Sequence, residues 1–129
     1  MTRDLDKRKY GGYITKAENS LRISKIALKE GAYDAAVMNA IHSAINALDA
    51  LTTYFLGKRA SGSHTDSLLL TKAILTIQEQ GDIEKQYKSL ISLKNASEYQ
   101  PDMMNPKDAE NSIKLAERIF DKVKTKLPK

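Results

Sequence analysis

The stretch from Tyr33 to Leu56 constrains the fold most, because it holds 24 residues without a proline or a glycine. As a helix it would be about 36 Å long, at about 1.5 Å of rise per residue. Its apolar residues recur at the i, i+3, i+4, i+7 spacing of a helix with one buried face. They are Val37, Ala40, Ile41, Ala44, Ile45, Leu48, Leu51 and Phe55. This pattern predicts a helical domain built around a long helix.

Two further rows of side chains run along the same helix. One row is small, which lets a second helix approach closely, and consists of Ala36, Ala40, Ser43, Ala47 and Ala50. The other row is polar and consists of His42, Asn46, Asp49 and Thr53, which the helical repeat aligns on one side. A helix with two packed faces and a polar third face is expected to be central and to border a site.

Capping and breaking residues divide the rest of the chain into helices. We expect a basic, flexible lead-in over residues 1–12 and helices over 13–30, 65–80 and 83–96, with stops at Gly31, Gly57 and Gly81. Asn105 and Pro106 predict the start of a last helix that reaches residue 127. The expected core of the 65–80 helix is Leu69, Leu70, Ala73, Ile74 and Ile77. No strand is expected. The fold class is all-α, a single up-and-down bundle of four or five helices over residues 13–127.

Composition limits the classes of function. The chain of 129 residues has no cysteine, which excludes disulfides, thiolate metal sites and cysteine nucleophiles and is typical of a reducing compartment. No apolar run reaches the roughly 18 residues of a membrane span, and no signal-peptide pattern opens the sequence. We therefore expect a cytoplasmic protein without membrane contact. The net charge of +5 favours an anionic partner.

The two histidines do not match a metal or cofactor motif. A di-iron bundle needs Glu-x-x-His, whereas Asn39 and Ser61 stand three residues before His42 and His64. P-loop, dinucleotide and zinc motifs are missing from the sequence as well. The sequence therefore predicts neither a metal nor a cofactor.

Each histidine has a structural and a functional interpretation. His42 is either a helical residue bonded to a neighbour or part of a cleft on the polar face. His64 is either a loop residue near a helix start or the partner of Arg59, with four residues between them. An arginine that binds phosphate and a histidine that moves a proton suffice for metal-free RNA cleavage by the 2′-hydroxyl. The alternative is that this spacing arose by coincidence.

Lys94 interrupts an apolar stripe. Ile83, Tyr87 and Leu90 follow each other by steps of four and three, and the next step falls on Lys94. Its aliphatic stem could lie on apolar surface with the ammonium at water or at the last helical carbonyls. The alternative is a cation held beside a cleft.

The sequence resembles the HEPN domains, the higher eukaryotes and prokaryotes nucleotide-binding helical bundles. The resemblance covers residues 13–127. It is carried by AYDAAVMNAIHSAINALDALTTYFLG, by HTDSLLLTKAIL and by SLKNASEYQPDMMNPKDAENSIKLAERIF. It implies a homodimer with a shared cleft, often paired with a minimal nucleotidyltransferase as a toxin–antitoxin-like module.

Catalytic HEPN domains carry Arg-x(4–6)-His before the last helix. At the matching place this sequence has Lys94, Asn95 and, in the histidine position, Tyr99. Lysine lacks the bidentate guanidinium, and a tyrosine with a pKa near 10 is a poor base at neutral pH. This departure argues against ribonuclease activity. The resemblance also raises the hypothesis that a partner nucleotidyltransferase modifies Tyr99.

Two functions follow as expectations. The first is a non-catalytic module in which Lys94, Asn95 and Tyr99, with His42, Asn46 and Asp49, bind a nucleotide, RNA or a partner protein. The second is a metal-independent ribonuclease toxin that uses Arg59 and His64, or else Lys94 and Tyr99.

Overall fold

The computed structural model describes residues 1–99 and 103–128, except for the side chain of Tyr99. It contains five helices, α1 (Tyr10–Lys29), α2 (Tyr33–Leu56), α3 (Asp66–Thr71), α4 (Ile77–Tyr99) and α5 (Pro106–Lys126). A 3-10 helix (Lys7–Lys9) precedes α1, and two short strands, β1 (Thr2–Asp4) and β2 (Lys58–Ala60), pair with each other. The predicted all-α class is confirmed. None of the described helices combines the length and the apolar character that a membrane crossing requires.

Helix α2 is the centre of the bundle, as its sequence predicts. It contacts each of the other four helices, and its bounds are those expected from the uninterrupted stretch. Gly57 ends the helix in the left-handed conformation, with φ of 65°. Its N–H donates to the Thr53 carbonyl at 2.9 Å, which satisfies one of the last free carbonyls.

The row of small side chains on α2 packs against α1. All five of its members are buried, and the Ser43 hydroxyl donates to the Ala17 carbonyl of α1 at 2.7 Å. In the opposite direction, the Ser24 hydroxyl of α1 donates to the Ala36 carbonyl at 2.6 Å. A serine reaches the backbone of a neighbouring helix only where the two backbones lie close together. The predicted close approach is therefore confirmed.

The boundary between the third and fourth helices is not where the sequence predicts it. Helix α3 ends at Thr71, and α4 begins at Ile77 and continues through Gly81, which was the expected stop. Thr76 and Glu79 explain the start, because they form a reciprocal capping pair. The Thr76 N–H donates to Glu79 Oε1 at 3.0 Å, and the Glu79 N–H donates to Thr76 Oγ1 at 3.2 Å.

The early end of α3 changes which apolar residues are buried. Of the expected core, Leu69 and Ile77 are 65% and 94% exposed. Ala73 is also exposed, and Leu70 and Ile74 are only half-buried. Leu68 and Leu75 are buried instead. The prediction fails because a helical repeat cannot be continued across the turn at residues 72–76.

Helix α5 begins and packs as its sequence predicts. Asn105 caps it by accepting from the Asp108 N–H at 2.8 Å, and the Asp108 carboxylate accepts from the Asn105 N–H at 3.3 Å. Pro106 occupies the first turn. The apolar residues that recur at steps of four and three from Ala109 are all buried, namely Ala109, Ile113, Ala116, Phe120, Val123 and Leu127.

The N-terminal segment contains structure that the sequence does not predict. β1 runs antiparallel to β2, with Thr2 opposite Ala60 and Asp4 opposite Lys58. The Leu5 N–H extends this pairing by donating to the Gly57 carbonyl at 2.8 Å. The first turn of α1 includes Gly11 and Gly12, so the helix begins three residues before the predicted start. The expectation of no strand is wrong, because three-residue strands have no readable alternation and depend on a partner far along the chain.

The two glycines at the expected helix stops give opposite predictions for substitution by alanine. A Cβ on Gly81 would meet nothing within 4 Å, so Gly81→Ala should raise the free energy of unfolding by about 0.5–1 kcal/mol through helix propensity. Gly57→Ala should lower it by about 1–2 kcal/mol, because φ is positive and the new Cβ would lie 3.3 Å from the Leu5 carbonyl oxygen. Urea denaturation measures both. If Gly81→Ala proved less stable than the parent, the result would favour the sequence prediction that a helix ends at Gly81.

Candidate functional site

The polar face of α2 runs from solvent into the core. His42 is exposed, and Asn46 is half-buried, with its amide donating to the His42 carbonyl at 2.9 Å. Asp49 and Thr53, one and two turns further along, are 7% and 0% exposed. The four residues therefore share one face, as predicted, but only the first two can meet a ligand from solvent.

Three separate parts of the chain converge near His42. The imidazole of His64, in the segment before α3, lies close enough to Lys94 of α4 and to His42 of α2 for both to affect its pKa. Glu98 belongs to the same group, because its carboxylate accepts from the Lys94 ammonium at 2.9 Å. We call these four residues the surface cluster.

Lys94 takes neither of its simple sequence interpretations in full. Its side chain is 18% exposed, so the stem does lie on the bundle, but the ammonium pairs with Glu98 and not with the last carbonyls. Ser97 holds the same stretch of α4 against α2, since its hydroxyl donates to the Met38 sulfur at 2.9 Å. The position of Lys94 beside His64 is thus fixed by packing between α4 and α2.

Burial and the charges of the surface cluster together lower the pKa of His64. Burial is the main cause that lowers the pKa of the His64 imidazole from 6.5, and Lys94 lowers it next. Glu98 acts in the opposite direction and His42 adds a smaller lowering. A neutral imidazole carries one donor and one acceptor, and a bound anion would favour its protonation.

A second group of polar side chains lies beneath the surface. Asp49, Thr53 and Tyr87 are buried, and Arg59 of β2 is half-buried beside Asp49. We call these four residues the buried cluster. Within the described part of the chain, Thr53 Oγ1, Arg59 Nε and Tyr87 Oη have no partner in hydrogen-bond geometry. Ser67 also lies near the Tyr87 phenol, whose pKa is raised, chiefly by burial.

Arg59 and His64 therefore interact with different levels of α2. Arg59 interacts electrostatically with Asp49, whereas His64 interacts with His42, which is about 10 Å away from Asp49 along the helix. The Arg59 guanidinium also donates to the Ala60 carbonyl at 3.2 Å. The sequence spacing placed these two residues in one loop, but the fold directs the arginine towards a buried carboxylate.

The remaining predicted residues lie at the end of α4. Asn95 is exposed and follows Lys94 by about 100° around the helix. The side chain of Tyr99 lies outside the described residues. Glu98 is the residue that sequence reasoning missed, although its i, i+4 spacing from Lys94 is the usual signal of a helical ion pair.

The described residues hold no group of three histidine, aspartate or glutamate side chains that could bind a metal ion. A large groove of about 830 Å³ lies elsewhere, between α4 and α5, and is lined by Lys88, Lys114 and Arg118 among others. It contains none of the residues predicted from the sequence. The chemistry available in the surface cluster is therefore anion binding by Lys94 and proton exchange by the two imidazoles.

Asp49 should make stability depend on pH. Burial raises the pKa of its carboxyl from 3.8 to about 6, against the opposite effect of Arg59. Above pH 6 the folded protein carries an ionised buried carboxylate whose cost relative to the unfolded chain is at most roughly 3 kcal/mol. The cost falls as the pH drops from 6, and it vanishes well below pH 3.8, where the carboxyl is protonated in both states.

The neutral variant Asp49→Asn should therefore be more stable than the parent at pH 7.5, and most of this difference should be lost at pH 4. Urea denaturation at both values measures this, with the exposed Asp121→Asn as the matched control. A variant that is less stable at pH 7.5 would show that the attraction to Arg59 outweighs the cost of burial.

The fold resembles that of a protein of known structure. A similar solved structure is that of TT1696 from Thermus thermophilus, with a TM-score of 0.75 and 23% identical residues. The likeness covers 92% of this chain and 98% of that chain. At this level of identity, it concerns the fold alone. No curated protein matches the sequence.

The family model of the HEPN domain matches residues 10–126. These are the first residue of α1 and the last residue of α5, so the match spans the whole helical bundle. This chain belongs to the HEPN domain family.

Proposed function

We propose that this protein is a HEPN binding module whose surface cluster binds a phosphate group of a nucleotide or of RNA without cleaving it. The family supports the class of ligand, since it is a nucleotide- and RNA-related family. The observation that carries the proposal is the convergence of His42, His64 and Lys94 from three elements that are far apart in sequence. Such a cluster supplies one ammonium donor and two imidazole N–H donors to an anion.

A phosphate that binds Lys94 must compete with the existing ion pair to Glu98. Glu98 holds the Lys94 ammonium at 2.9 Å, and an incoming phosphate must share or replace this carboxylate. An ion pair at the surface contributes only about 0–1 kcal/mol, so the exchange costs little. A phosphate also carries more acceptor atoms than one carboxylate and can reach the imidazoles at the same time.

The proposal includes the assembly that the family resemblance implies. The molecule acts as a homodimer and as one half of a toxin–antitoxin-like pair with a minimal nucleotidyltransferase. Support for this part comes from the family alone. In this arrangement, Asn95 contributes to binding of the ligand or the partner, and Tyr99 is the residue that the nucleotidyltransferase modifies.

Binding should depend on Lys94, on His64 and on pH. Lys94→Ala should weaken a 2′-O-methyl RNA oligonucleotide about 5-fold and reduce the slope of log K against log salt by about 0.7. Binding should strengthen between pH 7.5 and pH 5.5, because an imidazolium attracts phosphate, and His64→Ala should reduce this dependence. Fluorescence anisotropy gives all three quantities.

Lys85→Ala is the matched control, since Lys85 is exposed on the same helix about 13 Å away along its axis. An equal loss of affinity in Lys85→Ala and Lys94→Ala would mean that Lys94 acts only through the net charge of the protein. It would contradict the proposed site.

A metal-independent ribonuclease is the second candidate. It is favoured by the electrostatic interaction of His42 with His64, because two imidazoles in one cluster can act as the base and the acid of 2′-hydroxyl attack. Arg59, the sequence candidate for phosphate binding, faces Asp49 and would leave that role to Lys94.

Unmodified RNA incubated with the protein in EDTA separates the two candidates. The binding module predicts intact RNA even at high protein concentration, in the parent and in His64→Ala alike. Cleavage by the parent that is abolished in both His42→Ala and His64→Ala would establish the nuclease and overturn the binding-only function.

A further inference from the structure

The N-terminal segment builds a surface at the far end of α2 from the surface cluster. The pairing of β1 with β2 and the bond from Leu5 to Gly57 hold residues 2–9 across the end of α2. The stem of Lys7 lies over Gly57, where an added Cβ would be 3.5 Å from Lys7 Cγ. A basic segment is thereby fixed beside the last aromatic residues of α2.

Three aromatic rings are grouped at this end of the bundle. The Tyr10 and Tyr54 rings meet edge to face with centroids 4.9 Å apart, and Tyr54 and Phe55 do the same at 4.9 Å. Phe55 remains 39% exposed. Tyr10 and Tyr54 are half-buried, so Phe55 is the ring of this group that is most open to a further planar partner.

The rings and two cations line one cavity of about 450 Å³. Its lining residues are Lys7, Arg8, Tyr10, Tyr54 and Phe55, which we call the aromatic–basic patch. A neighbouring cavity of about 290 Å³ adds Lys9, Tyr13 and Lys16, and the Lys16 ammonium lies 5.9 Å from the Tyr13 ring centroid. The patch thus alternates flat apolar faces with positive charges.

Positive charge exceeds negative charge around the patch. Five cations, Lys7, Arg8, Lys9, Lys16 and Lys58, stand against the two carboxylates Asp4 and Asp6. Asp6 binds Arg8 through contacts as short as 2.7 Å, which hold the pKa of the carboxyl at about 2, and Asp4 lies opposite Lys58 in the sheet. Lys7 and Lys9 make no ion pair within the described part of the chain.

We propose that the aromatic–basic patch binds single-stranded nucleic acid, with a base stacked on Phe55 and the flanking phosphates on Lys7 and Lys9. Stacking faces interleaved with cations are the recognition chemistry of single strands, in which bases are free to leave their own stack. A double strand would offer phosphates but no open base. The patch goes beyond the proposed function because it includes no residue of the surface cluster, and Phe55 is about 20 Å along α2 from His42.

The test uses the full chain and two probes of equal length, oligo(dT) and an oligonucleotide of abasic sites. Phe55→Ala should weaken oligo(dT) by about 5- to 100-fold, the range for the loss of one stacked base, and should leave the abasic probe nearly unchanged. Phe55→Leu keeps apolar bulk without the ring, and should weaken oligo(dT) even if Phe55→Ala folds poorly. The affinity for oligo(U) shows whether the patch binds single-stranded RNA as well as single-stranded DNA.

The charges are tested separately. Lys7→Ala should weaken both probes and lower the salt slope by about 0.7, whereas Lys29→Ala, an equal charge change at the other end of α1, should have a smaller effect. Ile26→Ala is the control for loss of an exposed apolar side chain, since Ile26 is 48% exposed. It should leave the affinity for oligo(dT) unchanged.

The outcomes distinguish this proposal from the proposed function. Loss of affinity in Lys94→Ala, with none in either Phe55 variant, would overturn the patch and leave the surface cluster standing. Loss in the Phe55 variants alone would support the patch and count against the surface cluster. If sedimentation shows that Phe55→Ala breaks a dimer without changing the affinity for oligo(dT), the patch is a subunit interface and the proposal fails.

Discussion

The close contact between α1 and α2 is the constraint on which the rest of the structure depends. It is made possible by small side chains and is fixed by two serines, Ser24 and Ser43, each of which donates to a backbone carbonyl of the opposite helix. Buried hydroxyls are costly unless they are bonded, so these contacts specify the relative position of the two helices as well as stabilising it. With α1 seated on one side, α5 covers a second side, and the polar row is left towards β2 and α4.

This arrangement explains why polar groups lie both at the surface and in the interior. The row that begins with exposed His42 continues along a straight helix into the region covered by α3 and α4, so that Asp49 and Thr53 are buried. Three polar atoms of the buried cluster lack partners in hydrogen-bond geometry among the described residues, and unsatisfied groups of this kind are uncommon in folded proteins. The buried cluster therefore offsets part of the stability that the contact between α1 and α2 provides.

Sequence alone predicted the elements whose signals are local. The bounds of α2 follow from the absence of glycine and proline up to Gly57, and the start of α5 follows from Asn105 and Pro106. The break between α3 and α4 was missed because Gly81 is a typical helix stop, whereas the Thr76 and Glu79 capping pair lies inside the helix expected over 65–80. β1 and β2 were missed because each exists only through a partner more than fifty residues away in the chain.

The predictions for the candidate site also succeeded where the signal was local and failed where it depended on distant parts of the chain. His42, Asn46 and Asp49 were placed correctly on one face by the helical repeat, but their different burial depends on where α3 and α4 lie. The meeting of His64 with Lys94 joins residues thirty positions apart and has no sequence signal. Glu98 had a local signal in its spacing from Lys94, so it could have been found.

Helix α4 is packed closely on its inner side and near its start, but a groove lies beside its second half. Its inner residues Ile83, Tyr87 and Leu90 are buried, and near its start Glu79 binds Lys126 of α5 at 2.6 Å. Further along, the 830 Å³ groove separates it from α5. The second half of α4 is therefore held on the side of α2, through buried Leu90 and the bond from Ser97 to Met38. Because Lys94 and Glu98 stand on that half, the place of the ammonium beside the imidazoles depends on the seam between α4 and α2 and not on α5.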